Sequence, residues 1–232
     1  MQLSHEQFGN KGEPLIIMHG LLGSSDNWHT LGRRFGQHFR VFAVDLRNHG
    51  QSPHSNLMNY QVMAEDILEY IRDHELSPAH LLGHSLGGKV AMQTALSFPA
   101  EVNKLIVADV APKEYPPSHE PILDALAAIE IDEIHSRDDA DAALAEAIPE
   151  RPIRQFLLKN LNRIEEETYT WQMNLDGLRK NYHHLIENIE HRPHTAFTRP
   201  ALFIRGEQSN YIHPKEDEAA ILELFPRAEI LT

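Results

Sequence analysis

Five short apolar runs punctuate the chain, each bounded by turn residues: Leu15-Ile16-Ile17-Met18, Val41-Phe42-Ala43-Val44, His80-Leu81-Leu82-Gly83, Leu105-Ile106-Val107-Ala108 and, much later, Ala201-Leu202-Phe203-Ile204. Their apolarity is continuous rather than alternating, which predicts strands buried on both faces, as in a parallel sheet. Helix-like stretches lie between them, over about residues 27–37, 61–74 and 86–98. In the second, Met63, Ile67, Tyr70 and Ile71 recur at helical spacing. Strands alternating with helices predict an α/β fold with a mostly parallel central sheet flanked by helices. After Asp109 the alternation stops. Residues 111–198 read as helical, acidic and broken by prolines (Pro116, Pro117, Pro149, Pro152, Pro193), with no strand among them. The sheet pattern resumes at Ala201, and residues 228–232 read as a last strand. The expectation is a core of residues 1–110 and 199–232 carrying a helical cap, residues 111–198. The cap should lie over the C-terminal edge of the strands, where open α/β sheets place their sites.

The sharpest chemical signal is Gly83-His84-Ser85-Leu86-Gly87-Gly88, a G-x-S-x-G pattern placed after an apolar run and before a helical one. A strand that turns abruptly into a helix holds its serine in a strained conformation with Oγ exposed. Small flanking residues let the two backbones approach, which explains the glycines. The helix N-terminus offers the amide of Leu86, and a favourable dipole, to a developing oxyanion. A second signal, His19-Gly20-Leu21-Leu22-Gly23-Ser24, follows the first buried run directly. An oxyanion hole needs two donors, and the backbone N–H of Leu21 is the candidate for the other. His19, beside Gly at a strand end, reads as a loop brace rather than a base. Ser85 is the expected nucleophile.

Composition narrows the picture. With 232 residues the chain can bury a sizeable core as one domain with an insertion. Its formal charge of −13 and lack of any basic run argue against a nucleic-acid surface. It contains no cysteine, which removes disulfides, thiolate nucleophiles and cysteine zinc sites. No apolar run approaches the roughly 20 residues needed to span a bilayer, and a cytoplasmic location is the expectation. The histidines at 183, 184, 191 and 194 and the acidic run 165–167 read as solvated surface. Phe156, Leu157, Trp171 and Met173 are candidates for an apolar cap underside.

These motifs, together with Asp45-Leu46-Arg47-Asn48-His49-Gly50-Gln51-Ser52, resemble the α/β-hydrolase superfamily over the whole chain. Arg47 to Gly50, Gly87-Gly88-Lys89, Asp109-Val110-Ala111-Pro112 and Gln155 to Lys159 resemble more closely the YbfF-type esterases related to the ABHD11-like hydrolases. The resemblance implies hydrolysis of small-molecule acyl esters or thioesters, with no cofactor; no carboxylate–histidine motif such as H-E-x-x-H accompanies the histidines, so no metal is expected. Leu22, His84, Phe156 and Trp171 are the expected substrate-binding residues, and Asp45, Arg47 and Asn48 should organise loops.

The superfamily's usual acid position falls at Ser209, in Gly206-Glu207-Gln208-Ser209-Asn210, and a hydroxyl cannot stabilise an imidazolium by charge. Asp109, ending the strand after the nucleophile helix, is the leading replacement, as the esterase group implies, with Ser209 as a hydrogen-bonding auxiliary. Glu207 is the alternative. The family base follows the last strand, and no histidine lies beyond His213, so the base is expected on a loop C-terminal to Thr232 in a chain longer than this one. His213 is the alternative. Two other functions remain at this level: a lyase on the same fold, resembling the menaquinone-pathway synthase, and a binding protein that has lost catalysis.

Overall fold

The computed structural model describes residues 1–165 and 168–232. Of the acidic run 165–167, residues 166 and 167 lie outside the described residues. The first five strands are β1 (His5–Phe8), β2 (Pro14–Met18), β3 (Arg40–Val44), β4 (Ala79–His84) and β5 (Val102–Ala108). Next, β6 (Leu161–Glu165) and β7 (Thr168–Trp171) pair antiparallel with each other in a separate hairpin. Finally β8 (Ala201–Ile204) and β9 (Ala228–Leu231) rejoin the main sheet. Its order is β1-β3-β2-β4-β5-β8-β9, antiparallel only between β1 and β3. The chain builds outward from β2 to β3, then crosses back to β4. The sheet's topological switch point therefore lies between β2 and β4, the usual crevice for a site in such folds.

The helices α1 (His29–Phe35), α2 (Tyr60–Asp73) and α3 (Leu86–Ser97) connect the core strands. Asn59 caps α2, its side chain accepting from the Val62 N–H, and Met63, Ile67, Tyr70 and Ile71 form the buried stripe read from the sequence. In α3, every residue from Leu86 to Leu96 is buried, so this helix runs through the core rather than along its surface. Between β5 and β8 lie α4 (Glu120–Ala127), α5 (Arg137–Leu144), α6 (Arg151–Leu157), α7 (Leu175–Ile186) and the hairpin; α8 (Pro214–Leu224) joins β8 to β9. Among the described residues no helix is long and apolar enough to cross a membrane.

Two features depart from the sequence reading. The 111–198 segment contains strands: Thr168-Tyr169-Thr170-Trp171 consists wholly of β-branched and aromatic residues, whose β propensity outweighs the polar surroundings. The edge strand β1 carries no apolar run to mark it, and only its pairing with β3 makes it a strand.

Candidate active site

Ser85 sits where β4 becomes α3, with φ 51° and ψ −115°, a conformation that costs a non-glycine residue on the order of 1–3 kcal/mol. The surrounding backbone holds it there. Ser85 N–H donates to the Ala108 carbonyl of β5 (3.0 Å), and Gly87 N–H donates to the His19 carbonyl at the end of β2 (3.0 Å). A Cβ on Gly83 would lie 2.0 Å from the Gly87 carbonyl oxygen, and one on Gly87 would lie 2.5 Å from that of Met18. Both glycines of the motif are thus sites of backbone-to-backbone contact. The Ser85 hydroxyl makes no capping bond to its own helix.

The N–H groups of Leu21 and Leu86 have no acceptor among the described residues. Leu86 is the first residue of α3, where an N–H has no partner within the helix and the dipole adds positive potential. Leu21 and Leu86 line one small cavity together with Ser85.

Buried histidines fix the loop that carries Leu21. His19 Nε2 accepts from Leu46 N–H (3.0 Å), and His49 Nε2 accepts from Leu22 N–H (3.2 Å). The two rings meet edge to face at 4.9 Å. Burial drives their pKa values down, to about 4 for His19 and about 3 for His49, so both are neutral acceptors at ordinary pH. His19 is a brace, as its position after β2 implies. The 45–52 loop is organised in the same way: Asp45 accepts from Ser25 N–H (2.7 Å) and Gln51 N–H (2.9 Å). Arg47 grips Asp66 of α2 through two bonds (2.6 and 2.8 Å), and Asn48 accepts from the Asn174 side chain (3.0 Å) at the start of α7.

Asp109 follows β5 with φ 57°. Its Oδ2 accepts from Ser209 Oγ (2.7 Å) and its Oδ1 from Gly206 N–H (3.1 Å). Ser209 therefore touches the carboxylate through one hydrogen bond. Glu207 is exposed, and its backbone carbonyl accepts from Arg205 (3.4 Å).

A cleft of about 500 Å³ brings Ser85, Asp109, His84 and Leu21 together. Trp28, Leu31 and Phe156 supply apolar walls, and His119 and Tyr211 complete the rim. Two expected substrate contacts, Leu22 and Trp171, are not among its lining residues. Leu22 is buried with φ 60°, and its carbonyl accepts from Asn160 (2.8 Å), so it anchors the loop rather than facing the cleft. Trp171 is half-buried against the main hydrophobic core. His213 is exposed at the start of α8 and does not line the cleft. No motif in the sequence marks His119, Tyr211, Trp28 or Leu31, and His119 and Tyr211 reach the cleft only through the 111–198 segment and the loop after β8. Among the described residues no group of three or more His, Asp or Glu side chains could hold a metal ion.

The family model for the α/β-hydrolase fold matches residues 13–231. An esterase structure from a marine microorganism superposes with a TM-score of 0.96 at 40% identity, covering 100% of this chain and 90% of that one. The sn-1-specific diacylglycerol lipase ABHD11 of Mus musculus is 36% identical over 94% of this chain and 72% of its own length. Esterase YbfF of Escherichia coli K12 is 33% identical over 98% of this chain and 85% of its own. With this match and the strained serine at the switch point, the chain belongs to the α/β-hydrolase fold family.

Proposed function

We propose that the carboxylic-ester hydrolysis this chain performs runs through an acyl-enzyme on Ser85. The observation that carries the reading is the juxtaposition of the strained Ser85 with the amides of Leu21 and Leu86, which have no acceptor among the described residues. Ser85 Oγ adds to the ester carbonyl carbon, and the carbonyl electron pair moves onto oxygen, held by those two N–H groups. The serine proton passes to an imidazole, which delivers it to the leaving alkoxide as the old C–O bond breaks. Water then repeats the sequence, releasing the acid and returning the proton to Ser85. Asp109 orients the imidazole and stabilises its charged form, with Ser209 positioning Asp109. We assign the imidazole to none of the histidines that line the cleft.

The substrate is a small-molecule ester, and thioesters undergo the same addition. The relatives named as esterases and a lipase support hydrolysis over the lyase alternative. Residues 111–198 act as a cap over the strand ends, supported by the place of Phe156 and His119 at the cleft. The charge of −13 supports a partner other than nucleic acid, and the absence of cysteine suits a cytoplasmic location. The test is labelling with a fluorophosphonate followed by peptide mapping. The adduct should lie on Ser85, and Ser85→Ala should neither label nor turn over p-nitrophenyl butyrate. Undiminished labelling of that variant would refute the assignment.

A further inference from the structure

Ser85 borders a second, much smaller space beside the main cleft, about 50 Å³ against about 500 Å³. Of the two oxyanion donors, Leu86 borders only the small cavity, while Leu21, like Ser85, stands where the two spaces meet; Asp109 and His84 border only the large cleft. That division orients a tetrahedral intermediate. With the oxyanion on the two amides, the remaining substituents are the acyl chain and the leaving group. The imidazole that protonates the leaving oxygen is the one Asp109 orients, so the leaving group must stand on the Asp109 side. The acyl chain is left with the small cavity. Resting on the acyl-enzyme reading above, we infer that this enzyme is selective for short acyl groups, of about four heavy atoms or fewer beyond the carbonyl, joined to alcohols or thiols of much less restricted size.

The size limit follows from the volume, since a water molecule alone needs about 10–15 Å³ of such space. The far wall is stitched rather than loose. Tyr60, on α2, donates its hydroxyl proton to the Leu185 carbonyl of α7. Lys89, on α3, donates to the carbonyls of Ile186 and Glu187. Tyr182 closes the side, its hydroxyl accepting from the His119 N–H (2.8 Å). A longer chain would have to part α7 from the core. On the other side the cleft runs past the aromatic and aliphatic faces of Trp28, Leu31 and Phe156, with about ten times the volume for a leaving group.

Two ester series test this. With p-nitrophenol as the common leaving group, kcat/KM should fall at least tenfold from butyrate to octanoate. With acetate as the common acid, lengthening the alcohol from butyl to octyl should change it less than threefold. Tyr182→Ala should raise the octanoate-to-butyrate ratio at least tenfold; Ile186→Ala, a smaller truncation, should move it the same way and serves if the first variant does not fold. Equal turnover of butyrate and octanoate by the unaltered enzyme would overturn the inference. So would discrimination on the alcohol side alone, which would show the two spaces to be used in reverse, or unchanged ratios in both variants. Absence of turnover on every ester would instead overturn the acyl-enzyme reading, and the inference with it.

Discussion

Asp109 and Ser209 illustrate how one residue's role depends on another loop. Each oxygen of Asp109 is occupied from the turn after β8, one by a hydroxyl and one by a backbone N–H, so the carboxylate is held in one orientation. Removing its charge while keeping its shape should cost what it costs in the well-studied serine protease triad, about ten-thousandfold in kcat for Asp109→Asn. Glu207→Gln should stay within about threefold, because Glu207 points its carboxylate to solvent. Steady-state kinetics on p-nitrophenyl butyrate decide between them, and a reversed ranking would return the acid to the loop after β8. His19 and His49 give a second expectation at this scale, read in stability. Their native pKa values, about 4 and about 3, lie below the unfolded value of about 6.5. The unfolded state therefore binds more protons between those limits, and stability falls as pH drops from 6.5 toward 4. For His19 the loss over that window is on the order of 3 kcal/mol. His19→Gln and His49→Gln should each flatten the profile of urea-unfolding stability between pH 6.5 and 4.

Among elements, the β4–α3 junction is the part whose geometry tolerates least. A methyl group on Gly83 would sit 2.0 Å from a carbonyl oxygen of α3's first turn, against backbone that cannot rotate away as a side chain would. Gly83→Ala should lower unfolding free energy by about 3 kcal/mol and remove fluorophosphonate labelling, because the turn that presents Ser85 must open to admit it. Unchanged labelling would mean the turn relaxes without moving the nucleophile. This junction was legible in the sequence for the same reason it is rigid: the glycines, the serine and the flanking apolar runs all serve one backbone path. The five core strands were legible because burial on both faces leaves an unbroken apolar run. The hairpin β6–β7 and the edge strand β1 were not, since short, solvent-facing strands carry no such run. The cleft divides likewise. Ser85 and Asp109 stand at strand ends that the pattern locates, whereas His119 and Tyr211 arrive through long-range packing that no local spacing records.

At the scale of the whole molecule, Lys89 is one of the residues that tie residues 111–198 to the core. It projects from the buried helix α3 and is 2% exposed. Its ammonium lies 5.2 Å from the Tyr60 ring and 4.9 Å from the Tyr115 ring, and it donates to the last carbonyls of α7, where the helix dipole favours a positive charge. Burial nevertheless prevails: it pulls the Lys89 pKa down to about 7, while the carboxylates of Glu114 and Glu187 act in the opposite direction. An unfolded lysine titrates near 10.4. Between about pH 7 and that value the unfolded chain binds a proton that the folded one does not, so this group's contribution to stability rises with pH across the window. Below pH 7 both states are protonated, and the full cost of holding the charge in the interior is present. Methionine keeps the apolar stem and has nothing to titrate. The stability of the unaltered protein minus that of Lys89→Met should therefore increase from pH 6.5 to pH 9 in paired urea titrations. A flat difference would mean that the α7 carbonyls and the two rings compensate the charge completely. Lys89 would then remain an ammonium throughout, fastening α7 to the core by charge rather than by a neutral hydrogen bond.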